Sequence, residues 1–175
     1  RSLGDAPYNQ RRQECEAIVE RLKSVDPAIH SLSDLDGDRL VEVGDVLDDV
    51  LYRRARHVVS ENKRVRHAKE AFAEGNIYEC GGLISDSHHS LRHDFEVSIA
   101  ELDFLVGEAW KVSGVLGARL TGAGFGGSII VLAHINAVEE VSERLKREYL
   151  RCHNRIPRCY PVTAGAGLGE LQDRE

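Results

Sequence analysis

The chain has 175 residues, of which 42% are hydrophobic and 30% are charged, and its formal net charge at pH 7 is -6. This length fits one domain or one lobe of a larger protein, and the mixture of both charge signs argues against disorder. The acidic balance argues against nucleic acid as a partner, because binding to a phosphate backbone needs a basic face. No apolar run approaches the roughly 20 residues that a membrane-spanning helix needs.

The cysteines and the chain start bear on the compartment. The four cysteines form no Cys-x-x-Cys pair, which gives a zinc site little support, and they are too sparse for a disulfide framework. We expect free thiols in the cytoplasm, with a disulfide between Cys152 and Cys159 as the less favoured alternative. The chain begins with Arg1, contains no Met and shows no signal peptide, so we expect it to be cut from something longer.

The first stretch of the chain predicts helices. Asp5 followed by Pro7 is typical of a helix start, with Asp as the cap and Pro in the first turn. Apolar residues then recur at helical spacing before a break at Pro27: Cys15, Ile18, Leu22 and Val25. A second, short helix is predicted over 38–43.

A long helix comes next. Four apolar residues fall seven apart and predict its buried face: Leu51, Val58, Val65 and Phe72. Its charged residues are interpreted as a solvated face: Arg53, Arg54, Arg56, Glu61, Lys63, Arg64 and Arg66. Gly75 is predicted to close the helix at its C-terminus.

Two further helices are predicted before residue 115. Asn76 can cap the first of them, which runs to about Leu91. The second opens on a predicted capping box, from Ser98 to Glu101, and ends at Gly114. Its predicted buried residues are Leu102, Leu105, Val106, Ala109 and Trp110.

In the last third of the chain the residue pattern changes from one typical of helices to one that includes strands. Residues 115–121 and 128–134 predict two strands, Asn136 begins a helix, and 155–163 predicts a final strand whose two prolines suit a sheet edge. Helices followed by a hairpin-like pair of strands, another helix and a strand indicate an α+β domain with an antiparallel sheet.

A glycine-rich segment joins the two predicted strands. Gly122, Gly124 and Gly127 fit the pattern G-x-G-x-x-G, but a dinucleotide-binding loop must lead into a helix, and this one leads into a strand. Two interpretations stay open. The glycines permit positive φ angles and close packing in a tight connection, or their bare N–H groups face a phosphate or substrate. Arg119, just before the loop, is interpreted as structural.

The same segment resembles a known family. Gly117–Gly127, G-A-R-L-T-G-A-G-F-G-G, resembles the third motif of the GHMP small-molecule kinases, in the version found in galactokinases. Further blocks resemble that group in order and spacing: Tyr8–Glu16, Arg54–Asn62, Ser87–Arg92 and Glu96–Asp103. Departures from the common pattern are His93, Phe95, Ile84 and Leu120. The match runs along nearly the whole chain and corresponds to the C-terminal half of such a kinase.

The resemblance implies a fold and a reaction. Residues 1–175 would be one domain, the C-terminal lobe, with an antiparallel, ferredoxin-like sheet packed against several helices and the N-terminal ATP-binding and catalytic lobe absent. The reaction would transfer the ATP γ-phosphoryl group to the C1 hydroxyl of galactose. ATP and Mg²⁺ would be bound mainly by the N-terminal lobe. The expected partners are the sugar, ATP and that lobe, with neither nucleic acid nor membrane.

The resemblance also assigns site residues. Tyr8 is the expected sugar contact, and no catalytic residue or metal ligand is expected in this chain. The loop expected beside the phosphates and substrate consists of Thr121, Gly122, Ala123, Gly124, Phe125, Gly126 and Gly127. The alternatives are a stand-alone domain that binds a sugar or a partner protein, and the same lobe of an N-acetylgalactosamine or arabinose kinase.

Three other groups of polar residues are expected to be structural. Arg11 and Arg12 are interpreted as ion pairs at the helix surface or between lobes. Arg56 and His57 are interpreted as a buried polar network or a surface face. The histidines at 88, 89 and 93 are not expected to form a metal site, because adjacent side chains on a helix diverge.

Overall fold

A computed structural model describes residues 7–163 and residue 165. Its elements in chain order are α1 Pro7–Lys23, α2 Gly37–Val43, α3 Asp49–Ala73, α4 Ile77–His93, α5 Ala100–Ala109, β1 Val115–Thr121, β2 Ser128–Ala133 and α6 Val138–His153. The predicted order of several helices, two strands and a helix is confirmed, as is the α+β class. Within this described part, no helix is both long and apolar enough to cross a membrane.

The first three helices form one hydrophobic cluster. α1 begins at Pro7, as predicted, while its predicted cap Asp5 lies outside the described residues. Ile18 and Leu22 are fully buried, whereas Val25, beyond the helix end, is 50% exposed. Ile18 and Leu22 pack with buried residues of the following segments: Ile29, Leu32, Leu35, Leu40, Val43, Leu51, Ala55 and Val59.

Helix α3 matches its predicted C-terminal end but only half of its predicted buried face. It closes just before Gly75, whose φ of +71° suits glycine. Leu51 is buried, but Val65 and Phe72 are 66% and 59% exposed, so the prediction for these two is wrong. A straight helix drifts by about 20° per heptad, and a strict seven-residue spacing therefore leaves the core face after a few turns.

Helix α4 lies against β1 at a distance that only glycine allows. It is capped by the Asn76 side chain, which accepts the Glu79 N–H at 3.2 Å, as predicted. A Cβ atom on Gly81 would lie 2.3 Å from the carbonyl oxygen of Leu116, and one on Gly117 would lie 2.1 Å from the carbonyl oxygen of Gly81. The two backbones are thus in direct contact at this crossing.

The two strands pair in antiparallel fashion, with Leu120 opposite Ile129. Ala118 and Leu120 are fully buried, and the sheet packs on α5 and α6. In α5, buried Leu102, Val106 and Ala109 confirm the predicted face.

Three predictions around α5 are wrong. Its N-cap is Ile99 rather than Ser98, because the Ser98 hydroxyl donates instead to Asp103 Oδ1 at 2.6 Å. The helix ends at Ala109 instead of Gly114, and Trp110 is 47% exposed instead of buried. The helical spacing that predicts a buried Trp110 therefore stops applying at the residue after the helix.

The predicted final strand over 155–163 is also wrong. This segment forms no strand; it lines a groove of about 700 Å³ together with β2 and α6. Pro157 and Pro161 lack the N–H groups that a ladder of hydrogen bonds needs. Half-buried Cys159 packs against the core cluster of α5 and α6, while most other residues of the segment are exposed. In the described part of the chain the sheet therefore has two strands.

The close crossing of α4 and β1 gives a matched pair of glycine variants. Gly81→Ala should destabilise the fold by about 2–3 kcal/mol, because the new methyl group would overlap backbone atoms of Leu116. Gly82→Ala, on the next position of the same helix, has no atom within 4 Å of its added Cβ. It should raise stability by about 0.5–1 kcal/mol through helix propensity. Urea unfolding of both variants measures these changes. Equal changes in the free energy of unfolding would contradict the close contact between the backbones of α4 and β1.

Candidate functional site

The glycine loop, residues 121–127, connects β1 to β2 through an unusual backbone. Five of its residues have positive φ angles: Gly122 (87°), Gly124 (80°), Phe125 (60°), Gly126 (132°) and Gly127 (99°). Such angles are readily adopted by glycine and are costly for other residues. The glycines are therefore needed for the path of the chain itself, which supports the first of the two interpretations.

The inner side of the loop rests on the connection between α4 and α5. The Phe125 N–H donates to the Val97 carbonyl oxygen at 2.7 Å. A Cβ atom on Gly124 would lie 2.4 Å from the same oxygen, so close packing also requires a glycine there. The Phe125 side chain packs against a small cluster that includes Leu91, Val97 and Leu120. One hydrogen bond and one ring thus fix the middle of the loop.

The outer side of the loop is open. A Cβ atom added to Gly122 or Gly126 would meet no atom of the described chain within 4 Å. Packing within the described residues therefore does not account for glycine at these two positions. An open face of backbone with positive φ angles can present N–H groups to an anion, which is what the second interpretation needs.

A polar network holds the strand that leads into the loop. Arg119 donates to Ser87 Oγ at 2.8 Å and to the Leu120 carbonyl oxygen at 2.9 Å. Ser87 Oγ in turn donates to Glu61 Oε2 at 2.7 Å. On the other side, the Leu120 N–H donates to Nδ1 of buried His88 at 3.3 Å. These contacts agree with the structural role expected for Arg119.

His57 of α3 is a buried titratable group whose pKa is strongly lowered. It is buried, its Nδ1 lies 2.9 Å from Ser90 Oγ, and its ring stacks on Phe95 at a centroid distance of 4.4 Å. Burial lowers its pKa to about 4, against an ordinary value of 6.5. At neutral pH the imidazole is therefore uncharged. Arg56 and His57 are each described by a different one of the two interpretations. His57 belongs to a buried polar network, whereas Arg56 lies on a surface face as an exposed ion-pair partner of Asp94.

The neighbouring histidines have separate partners. Nε2 of His88 lies 3.4 Å from Asp103 Oδ1, while the rings of His89 and His93 lie 4.5 Å apart. Within residues 7–163 and 165, no group of three or more His, Cys, Asp and Glu side chains could hold a metal ion.

Arg54 is predicted on the solvated face of α3, and this prediction is wrong. Its side chain is 2% exposed. Nε donates to Glu14 Oε2 at 2.9 Å, Nη2 donates to Glu96 Oε2 at 2.6 Å, and Nη1 donates to the Asp94 carbonyl oxygen. The sequence holds one signal of this, because Arg54 lies three residues after Leu51 and therefore on the buried side of the helix.

Both carboxylates that face Arg54 stay ionised. For Glu14, burial acts to raise the pKa, but hydrogen bonds from Arg11 and Arg54 outweigh it and the pKa lies below its usual value. For Glu96, the hydrogen bond from Arg54 is the main cause of a lowered pKa, and Arg53 adds to it. Arg11 thus belongs to an ion pair within α1, as Arg12 does with Glu16.

Tyr8 lies in the first turn of α1 and is 57% exposed. Its side chain is therefore not packed in the hydrophobic core. The exposed phenol leaves its hydroxyl available to a ligand.

Comparison with known proteins identifies the class to which this fold and loop belong. Residues 68–151 match the model of the family described as GHMP kinases C terminal. Residues 68–151 thus correspond to the C-terminal domain of the GHMP kinases, and the glycine loop lies within this matched region.

Within that class the chain is similar to galactokinases. It is 41% identical to galactokinase of Roseiflexus sp. (strain RS-1) over 99% of this chain, and 43% identical to galactokinase of Streptococcus mutans over 95% of this chain. These matches cover 44% and 43% of the two relatives. The chain thus spans less than half the length of the curated relatives that it matches.

A solved structure agrees. The structure of Lactococcus lactis galactokinase complexed with galactose matches 89% of this chain, with a TM-score of 0.83 and 38% identity, and 40% of that chain is covered. The family resemblance of the sequence blocks is therefore confirmed.

The lowered pKa of His57 predicts a pH dependence of stability. Between pH 6.5 and about 4 the unfolded chain binds a proton that the folded chain does not. Above that window, protonation of His57 does not change the free energy of unfolding. As the pH falls through the window, the free energy of unfolding decreases, and below the window this loss stays constant. At pH 4.5 the cost should be about 2–3 kcal/mol.

A neutral variant isolates this effect from the other groups. The charged groups that face His57 are Glu61, Asp94, Arg64 and Arg119, and His88 also has a lowered pKa, through burial. His57→Gln leaves all of them in place. Urea unfolding of both proteins at pH 7.5 and pH 4.5 should show that the variant loses less stability on acidification. Equal losses would contradict a neutral, buried His57.

Proposed function

We propose that this chain is the C-terminal lobe of an ATP-dependent sugar kinase of the galactokinase type. The complete protein would transfer the ATP γ-phosphoryl group to the C1 hydroxyl of galactose. The observation that carries the proposal is the extent of the similarity, since identity of about 40% to galactokinases continues along 95–99% of the chain. The alignment to a galactokinase complexed with galactose supports the same substrate.

The glycine loop is the proposed contribution of this lobe to the phosphate site. Phosphoryl transfer depends mainly on positioning and on neutralising negative charge. The open face at Gly122 and Gly126 lets a phosphate or substrate approach the backbone directly, where a Cβ atom would hold it away. The N–H groups of residues 121–127 would then donate to phosphate or substrate oxygens.

Mg²⁺ and the bulk of ATP would be held by the rest of the protein. The described residues of this chain offer no group of three side chains that suits a metal ion. We likewise assign no catalytic residue to this chain, and place the catalytic base in an N-terminal lobe. The C-terminal lobe formed by this chain would close the cleft over the substrates, in a protein of the cytoplasm.

Tyr8 is the proposed sugar contact. Its exposed phenol can donate to a sugar hydroxyl while the ring covers the edge of the pyranose. The galactokinase-like block Tyr8–Glu16 places this residue on the same helix that Arg54 ties to the loop region.

The proposal is tested by two steps on the natural gene. The coding region upstream of Arg1 should encode a phosphate-binding loop and an Asp base. The encoded protein should then release ADP with galactose and MgATP at a kcat of about 1–100 per second, while residues 1–175 alone should show no turnover. Turnover by the 175-residue chain alone would contradict the division of labour. A reading frame that opens just before Arg1, with galactose binding but no turnover, would indicate the stand-alone binding domain.

Tyr8→Phe tests the sugar contact within the complete protein. Loss of one hydrogen bond to an uncharged group should raise KM for galactose about 3- to 10-fold and leave KM for ATP unchanged. Tyr78→Phe is the matched control, because Tyr78 is also exposed but its hydroxyl lies 3.3 Å from Nε2 of His134, the residue after β2. Equal KM values for Tyr8→Phe and the wild type would remove Tyr8 from the site.

A further inference from the structure

We propose that Arg54 is a positioning residue that sets the glycine loop and the Tyr8 helix relative to each other. Its side chain reaches α1 through Glu14 and the α4–α5 connection through Asp94 and Glu96. This role rests on the kinase function proposed above. The hydrogen bonds of Arg54 go to Glu14, Asp94 and Glu96, and none of these goes to the loop or to Tyr8.

The first step runs from Arg54 to the backbone at Glu96. Glu96 has a φ of +53°, a left-handed conformation that is unfavourable for a residue with a side chain. Such a conformation persists when surrounding contacts determine it. Here both carboxylate oxygens are held, one by Arg54 at 2.6 Å and one by Arg53 at 3.0 Å. The two guanidinium groups thus fix the turn that Glu96 makes.

The second step runs from that turn to the glycine loop. Val97 follows Glu96 directly, and its carbonyl oxygen accepts the Phe125 N–H at 2.7 Å. The same carbonyl and the Val97 side chain leave no space for a Cβ atom on Gly124. The position of the loop is therefore set by the direction in which the backbone leaves Glu96.

The third step runs from Arg54 to α1. Its Nε donates to Glu14, which follows Tyr8 by about 1.7 helical turns, while its two terminal nitrogens donate to the α4–α5 connection. The planar guanidinium presents its donors in a fixed fork, so the three acceptors are held in one geometry. Lysine keeps the charge but cannot reach all three acceptors. The charge alone would therefore not reproduce the positioning.

Backbone amide exchange of the complete protein tests this link without any ligand. In Arg54→Lys, exchange of the Phe125 amide, which is hydrogen-bonded to Val97, should accelerate at least about tenfold, while exchange in β1 and β2 stays at the wild-type rate. Arg144→Lys is the matched control, because Arg144 donates twice to the buried Glu108, at 3.0 and 2.8 Å, away from the loop. It should lower the melting temperature without accelerating exchange in the loop.

A second variant covers the case in which Arg54→Lys does not fold. Glu96→Ala removes a half-exposed carboxylate and leaves Arg54 paired with Glu14. It should accelerate exchange in the loop in the same way. Wild-type exchange of the Phe125 amide in a folded Arg54→Lys or Glu96→Ala protein would overturn the proposal.

Kinetics separate positioning from general stability. At a temperature where all variants are folded, Arg54→Lys and Glu96→Ala should lower kcat at least about tenfold, and Arg144→Lys should stay within about twofold of the wild type. A loosened loop with unchanged kcat would overturn the positioning role. A wild-type protein that does not phosphorylate galactose would overturn the proposed function instead, and the exchange data would still decide whether Arg54 fixes the loop.

Discussion

The arrangement of this domain depends on one buried cation. Placing a guanidinium group at 2% exposure removes most of its hydration, which is unfavourable unless carboxylates and carbonyls replace the lost water. Arg54 obtains those partners from α1 and from the α4–α5 connection, two segments that lie 40 or more residues away along the chain. Removal of either carboxylate would leave a buried guanidinium donor without its acceptor. The two segments are thereby held at a fixed separation.

A second constraint is the distance between helix α4 and strand β1. Because Gly81 and Gly117 meet backbone to backbone, α4 lies closer to the sheet than larger side chains would permit. This closeness brings Ser87 and His88 of the same helix within hydrogen-bonding distance of Arg119 and Leu120. The helix crossing and the polar network at the base of the glycine loop therefore depend on each other.

The sequence predicts the local features well and the distant ones poorly. Asn76, Gly75 and the two strands follow from capping, turn and β-branched residues, whose effects lie within a few positions. The predicted environments of Arg54, Val65 and Trp110 are wrong, because their burial depends on partners from other segments or on helix geometry over several turns. A pattern within one element contains no information about what covers it.

The same limit applies to the candidate site. The spacing of the glycines and the resemblance of the surrounding block are enough to identify the loop from the amino-acid sequence. Glu96 and Val97 belong to one of the blocks that resemble the family, but their role in supporting the loop from below could not be predicted in that way. Their importance comes from a left-handed backbone turn and a carbonyl direction, and neither has a residue pattern of its own.

The hydrogen bond at Phe125 has a consequence for the entropy of binding. It divides the glycine loop into two short spans on either side of a fixed point, so the glycines cannot explore the range of conformations that their lack of side chains would otherwise allow. An anion that binds the outer face would meet amides that are already ordered. The loss of conformational freedom that usually opposes binding to glycine-rich segments is thus largely incurred during folding, before any ligand arrives.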